Sequence, residues 1–238
     1  MGYNMVYVTS DLHGCNPAEF QQLLKKAGFT DEDFLFILGD VIDRGPHGVD
    51  WLLWLLDKTN IQLVLGNHEA LMLACSFLFD EVTEESLERL TAEQLMLVES
   101  WAENGGSSTM TALQSLLKND PESVHSIVEY LEDTPLYDTV HVNGRDFVLV
   151  HAGLGNFDPN RPLDEYEPEE LLMARPSLTD AYYPDATVVF GHTPTFCYGA
   201  EYEGRALHQD TWICIDTGTA SGKSPMLLCL DTMEEYYY

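Results

Sequence analysis

Residues 34–45 read FLFILGDVIDRG, and this stretch decides the fold. Phe34–Leu38 is a continuous apolar run, hence a buried strand. It ends at Gly39, and the chain then places Asp40, Asp43 and Arg44 before Gly45. The arrangement recurs on both sides. Met5–Thr9 leads to Ser10-Asp11-Leu12-His13-Gly14, and Ile61–Leu65 leads to Gly66-Asn67-His68-Glu69. Further on, Asp146–Val150 leads to His151-Ala152-Gly153, and Thr187–Phe190 leads to Gly191-His192-Thr193. Segments with helical spacing at 16–27, 48–58 and 69–79 alternate with the first three runs. Strands alternating with helices predict an α/β core. In such cores ligands collect at the carboxyl ends of strands, so five exits of this kind are expected to converge.

Residues 80–133 differ, being rich in Glu, Leu and Ser. They predict a helical insertion of about three segments, broken at Asn104-Gly105-Gly106 and Asp120-Pro121. Strand character returns at Leu136–Val142, and Asn143-Gly144 is a two-residue hairpin signal into Asp146–Val150. Residues 155–185 form a Pro- and acid-rich excursion. Trp212–Ile215 and Met226–Leu230 read as strands, whereas the terminal Glu-Glu-Tyr-Tyr-Tyr carries no clear signal. The length favours a single domain over residues 1–238.

Composition narrows the function classes. Eleven Lys and Arg face forty Asp and Glu, a formal charge of −29. Such a surface repels nucleic acid and anionic membranes, so neither is expected as a partner. A phosphate site must then be a local cationic island. No apolar run spans a bilayer, no secretory leader is visible, and Val6 stands where a myristoylation signal needs Ser or Thr. The expectation is a cytoplasmic protein. The five cysteines are odd in number and widely spaced, which argues against a disulfide framework or a thiolate zinc site.

The residues at the strand exits suit metal ions. Asp11 and His13 are two apart and face one way in extended chain. Asp40, Asn67, His151 and His192 add oxygen and imidazole donors. A mixed set without thiolate fits manganese, iron, zinc or a similar ion.

The series DLHG, GDVIDRG, GNHE, HAG and GHT, in that order over roughly residues 5–220, resembles the phosphoprotein phosphatase (PPP) branch of the calcineurin-like metallophosphoesterases. Trp101 with Asn104-Gly105-Gly106, and Leu171-Leu172-Met173-Ala174-Arg175, are similar to bacterial and phage Ser/Thr phosphatases of that branch. The resemblance implies a central β-sandwich flanked by helices and two divalent metal ions, manganese first and iron or zinc as alternatives. It implies that Asp11 and His13 hold the first metal, that Asp40 bridges, and that Asn67, His151 and His192 hold the second. His68 would be the general acid, oriented by Asp43, and Arg44 and Arg175 would grip the phosphate. A hydroxide shared by the metals would attack directly, with no covalent phosphoenzyme.

These residues predict a hydrolase of phosphate monoesters, with phosphoserine or phosphothreonine in proteins, or a small phosphoester, as substrate. Diadenosine tetraphosphate hydrolysis is the alternative. Val64-Leu65-Gly66-Asn67-His68 leans toward it, as Leu65 replaces the Arg of many phosphatases. Asp43 before Arg44 and Glu69 at the end of the third motif lean toward the phosphatase. A non-catalytic phospho-binding module is the remaining reading.

Overall fold

Two five-stranded mixed sheets stack face to face in a computed structural model that describes residues 4–79 and 91–238. The strands are β1 (Val6–Thr9), β2 (Phe34–Leu38), β3 (Ile61–Val64), β4 (Tyr137–Val142), β5 (Arg145–Val150), β6 (Ala186–Phe190), β7 (Leu207–His208), β8 (Trp212–Cys214), β9 (Met226–Cys229) and β10 (Glu235–Tyr237). The first sheet runs β10-β9-β1-β2-β3 and the second β4-β5-β6-β8-β7. In the first, β1, β2 and β3 are parallel, and in the second β5, β6 and β8 are parallel. The carboxyl ends of the central strands in each sheet therefore share a side. The alternating strands and helices give the expected α/β core, and the two stacked sheets form the central β-sandwich that the resemblance implies.

Alternation along the strands builds three apolar layers. Leu35 and Ile37 of β2 face the helices, together with Phe20, Trp51, Trp101 and Ile127. Phe36 and Leu38 face the second sheet and meet Phe147, Leu149, Val189 and Ile213. Val148, Val150, Val188 and Phe190 point outward beneath Tyr166, Leu171 and Tyr182 of the excursion. The excursion is thus the outer cover of the second sheet.

The Pro17–Lys26 helix begins as its sequence predicts, with the Asn16 side chain accepting from Ala18 N–H. Asn143 and Gly144 both take positive φ, 51° and 76°, as a tight hairpin turn between β4 and β5 requires. Within the predicted insertion, helices occupy Ala92–Trp101, Ser107–Asn119 and Pro121–Glu132, while residues 80–90 lie outside the described part. The helix breaks at Asn104-Gly105-Gly106 as expected: Gly105 takes φ 98°, and the wide turn over Ala102–Gly106 joins two helices across a kink. The third predicted helix starts earlier than its apolar spacing suggests, at Asn67, and gives way to a 3₁₀ turn at Ser76–Phe79. The terminal tyrosines form β10 on the edge of the first sheet.

Candidate metal centre

Five strand exits deliver their polar side chains to one place. Asp11 and His13 follow β1, Asp40 and Asp43 follow β2, Asn67 and His68 follow β3, His151 follows β5, and His192 follows β6. The backbone is bent hard to do this. Nine described non-glycine residues have positive φ, and six of them are Asp11, His13, Asp40, Asp43, Arg44 and His192. Left-handed backbone is unfavourable for residues with a Cβ and is least so for Asp, Asn and His. Strain concentrated on these six marks a site whose geometry the surrounding contacts impose.

Close backbone approach at two glycines lets the exits converge. A Cβ on Gly39 would lie 2.7 Å from the His151 ring, and one on Gly191 would land on the Asp11 carboxylate. Glycine is the one residue that fits at either position.

Asp40 Oδ2 is the hub. It lies 3.5 Å from His151 Nε2, 3.7 Å from His13 Nε2 and 3.8 Å from His68 Nε2. Asn67 Oδ1 lies 2.9 Å from both His151 Nε2 and His192 Nδ1, and those two nitrogens are 3.2 Å apart. Two groups share Asp40: His13, Asp40 and His68 in one, and Asp40, His151 and His192 in the other. Within each, the candidate ligand atoms lie within 4.8 Å of one another. Asp11 borders the first group, its Oδ1 lying 3.8 Å from His13 Nε2. All ten residues singled out from the sequence border this cluster or its rim.

Backbone carbonyls aim the rings. His151 Nδ1 bonds to Leu38 O at 2.7 Å and His13 Nδ1 to Ile42 O at 3.2 Å. A carbonyl only accepts, so each proton sits on Nδ1 and each Nε2 lone pair faces the centre. Burial, followed by the neighbouring His151 for His192, pushes His13 and His192 down to about 3, and burial also lowers His151. These imidazoles are therefore neutral, the state that binds metal.

The carboxylates are crowded. Burial, then Asp216 and Asp40, push Asp11 well above the usual carboxylate range. Burial raises Asp216 to about 7, with Asp40 adding to it. Burial opposes charge on Asp40 too, but the charged His68 ring beside it and the His68 N–H that its Oδ1 accepts at 3.1 Å hold Asp40 ionised. Asp11 Oδ2 accepts from His192 N–H at 2.9 Å, while the buried Oδ1 has no hydrogen-bond partner. A buried carboxylate oxygen without a donor, beside further carboxylates and neutral imidazoles, is a donor set that divalent cations fit.

His68 differs from the other histidines. Its Nδ1 is 2.7 Å from Asp43 Oδ2. Burial works against its charge, but Asp40 and the bond to Asp43 prevail and raise it above its ordinary value. The geometry nonetheless brings His68 into the first cation group, where the resemblance places Asp11. Arg44 is exposed, and its two terminal nitrogens lie 3.0 Å from His13 Nε2 and His68 Nε2. Arg175 is exposed on the other side, bonded to Thr193 Oγ1 at 3.2 Å.

A family model described as calcineurin-like phosphoesterase matches residues 5–213. The chain belongs to that family. It is 35% identical over 121 residues to a symmetrical bis(5'-nucleosyl)-tetraphosphatase of Buchnera aphidicola subsp. Schizaphis graminum, covering 49% of this chain and 41% of that protein. It is 28% identical over 151 residues to a protein of the same name from Acidovorax ebreus, covering 63% and 44%. The chain thus spans less than half the length of these curated relatives. A solved structure provisionally assigned as a diadenosine tetraphosphatase superposes with a TM-score of 0.60 at 22% identity, covering 100% of this chain and 96% of that one. A Saccharomyces cerevisiae protein serine/threonine phosphatase gives 0.58 at 15% identity, covering 98% and 79%. At these identities the structural likenesses speak to the fold alone.

Two residues that organise this phosphoesterase site escaped the sequence reading. Glu69, read only as the end of a motif, is fully buried and grips the β2 exit. It accepts from the N–H groups of Asp40, Val41, Ile42 and Gly66 at 2.8–3.3 Å. Its position, three residues after a glycine that precedes a helix, is the spacing of a capping box and was the available signal. Trp101 reads as core packing, and it is buried, but its indole N–H also donates to Asp43 Oδ2 at 3.0 Å. Thr109 Oγ1 accepts from Asp43 N–H, and Gly105 O accepts from Arg44 N–H. The insertion therefore holds the Asp43-Arg44 turn. Leu65 packs in the helix-side core, so no side chain at that position faces substrate.

Proposed function

We propose that the protein is a metal-dependent hydrolase of dinucleoside polyphosphates that cuts an internal phosphoanhydride bond. The observation that carries hydrolysis is Asp40 Oδ2 lying between imidazoles from three strand exits, one of them the Asp43-held His68. The substrate class rests on the relatives, which are named for symmetrical cleavage of such tetraphosphates. A phosphoprotein substrate, the first expectation from sequence, receives no such support.

The two residues that argued for the phosphatase lose their weight. Asp43 holds His68, and Glu69 holds the Asp40 turn. Both serve the catalytic frame that any substrate of this family would need, so neither reports on the group attached to the phosphate.

Asp11, His13 and Asp40 would hold one divalent cation, and Asp40, Asn67, His151 and His192 the other. Such a pair supplies an acidified water and positive charge for the phosphoryl oxygens. The chain's own residues do the rest. His68, kept protonated by Asp43 and Asp40, delivers a proton to the leaving phosphate oxygen. Arg44 turns its exposed guanidinium from the two imidazoles to the substrate, and Arg175 approaches from the opposite rim. Together they form the local cationic island that a chain of charge −29 needs.

The test is turnover by purified protein loaded with manganese, assayed on diadenosine tetraphosphate, a phosphoserine peptide and p-nitrophenyl phosphate. Preferential cleavage of the dinucleotide supports the proposal. Preference for the phosphopeptide overturns it, and no turnover with any of several metals returns the binding-module reading.

A further inference from the structure

A cavity of about 500 Å³ shares Arg175 with the rim of the candidate metal centre. One wall is the chain just beyond the His151 exit, with Asn156 and Phe157. The other is the excursion, with Arg175, Asp180, Ala181 and Tyr182. Its volume is in the range of pockets that bury a small organic molecule. Two further cavities are lined by β4–β5 side chains and by residues around β3, and neither includes a residue of the candidate site.

Arg175 belongs to both places. It lines the cavity, and it bonds to Thr193, the neighbour of His192. It is the one cation among the lining residues, while Asp180 is the one acid. A ligand reaching outward from the metal centre would thus carry its anionic part at Arg175. Whatever lies deeper must be uncharged or able to donate hydrogen bonds.

The walls are set in advance. Phe157 is held edge-to-face by Tyr182 at 5.1 Å and by Tyr183 at 4.9 Å. The Tyr182 hydroxyl accepts from Leu154 N–H at 3.0 Å. Asp180 is pinned through both of its backbone polar groups: Trp212 Nε1 donates to its carbonyl at 2.9 Å, and its own N–H donates to Ser177 O at 3.0 Å. Preset aromatic walls with a carboxylate and an amide at the rim suit a flat heteroaromatic ring with polar edges.

We propose that this cavity is a nucleoside subsite, taking the base and ribose joined to the phosphate at Arg175. The inference rests on the dinucleotide reading for its substrate class. It would also place selectivity in residues 154–157 and 174–182, which the metal site does not use apart from Arg175.

The test uses manganese-loaded full chain and two variants. Phe157→Ala removes an aromatic wall. Ala181→Trp fills the cavity from an exposed position, so a folding defect in the first variant leaves the second informative. Two quantities are read for each protein. The first is the ratio of kcat/KM for diadenosine tetraphosphate to that for p-nitrophenyl phosphate. The second is the inhibition constant of adenosine 5′-monophosphate relative to that of inorganic phosphate, against p-nitrophenyl phosphate.

A nucleoside subsite predicts that the first ratio falls about tenfold or more in both variants, as loss of a base–aromatic contact does elsewhere. It also predicts that wild type prefers the nucleotide over phosphate and that both variants lose this preference. Dinucleotide cleavage with both ratios unmoved would overturn the subsite and leave the proposed function standing. No dinucleotide cleavage, with a nucleotide preference that the variants abolish, would overturn the proposed function and leave the subsite standing.

Discussion

The two sheets divide the work differently. The first sheet supplies, from β1, β2 and β3, carboxylates, one amide, His13, the Asp43-held His68 and Arg44, all on short and heavily bonded turns. The second supplies His151 and His192 from β5 and β6, and behind them runs the long excursion that walls the cavity. Glu69 clamps four backbone N–H groups on the first side, and Trp101 and Thr109 reach in from the insertion to hold Asp43. The second side has single carbonyl anchors, such as Leu38 O for His151. Chemistry demands fixed positions to fractions of an ångström, and the clamped side provides them. Selectivity can vary with loops carried on a rigid frame, and the looser side offers those.

The largest expected effect tests whether the first side holds the proton donor. His68→Asn should lower turnover by about 10²–10⁴-fold while bound metal stays at the wild-type level. Elemental analysis of the purified variant decides it. Loss of one metal equivalent would make His68 a ligand, the role that its place in the His13–Asp40 group offers.

Metal itself should bind across both sides and so tie the sheets together. Each cation at a hundred times its Kd adds about 2.7 kcal/mol to stability. For a chain of this size that is about 5–11 °C in Tm, at about 2–4 °C per kcal/mol. Thermal melts before and after chelation measure it. A Tm that does not move would mean that the crowded Asp11, Asp40 and Asp216 are relieved by protons instead.

The Glu69 clamp predicts a smaller loss. Glu69→Gln keeps the shape but turns into a donor one of the two oxygens that accept from four N–H groups. An outer partner of this kind is worth about 10–100-fold in metal affinity or activity. Titration with manganese should show weaker binding at both sites, because each depends on Asp40. Unchanged binding and turnover would show that the turn stands without its clamp.

What the sequence shows and hides follows the same division. The strands of both sheets that carry the exits were readable, because FLFIL, IQLV and FVLV are apolar runs with a glycine close behind. The gathering of nine of the ten site residues followed from parallel strands sharing a carboxyl side, whereas Arg175 comes from the excursion. Contacts made across long separations were not readable. Trp101 lies 58 residues from Asp43, and its indole finds that carboxylate only after the insertion folds back. β7 is two residues long, and β10 is a Glu-Tyr-Tyr segment that becomes a strand only because β9 offers an edge. The cavity was hidden as well, since residues 155–185 have no periodicity and take their shape from Tyr166, Leu171 and Tyr182 packing on the second sheet.

The smallest effect is the most specific to the insertion. Asp43 Oδ2 accepts from both His68 Nδ1 and Trp101 Nε1. Trp101→Phe keeps a ring in the core and deletes one donor to a charged acceptor, a bond worth about 1.5–3 kcal/mol. Part of that is recovered as Asp43 leans more on His68, so turnover should fall only about tenfold. A structural defect would slow every substrate alike. A positioning defect acts through the proton that His68 delivers, so it should grow as the leaving group becomes poorer. Phenyl phosphate should therefore suffer more than p-nitrophenyl phosphate, whose leaving oxygen needs little help. Equal losses on the two esters would reduce Trp101 to packing, and the insertion would then act on the clamped side through Thr109 and Gly105.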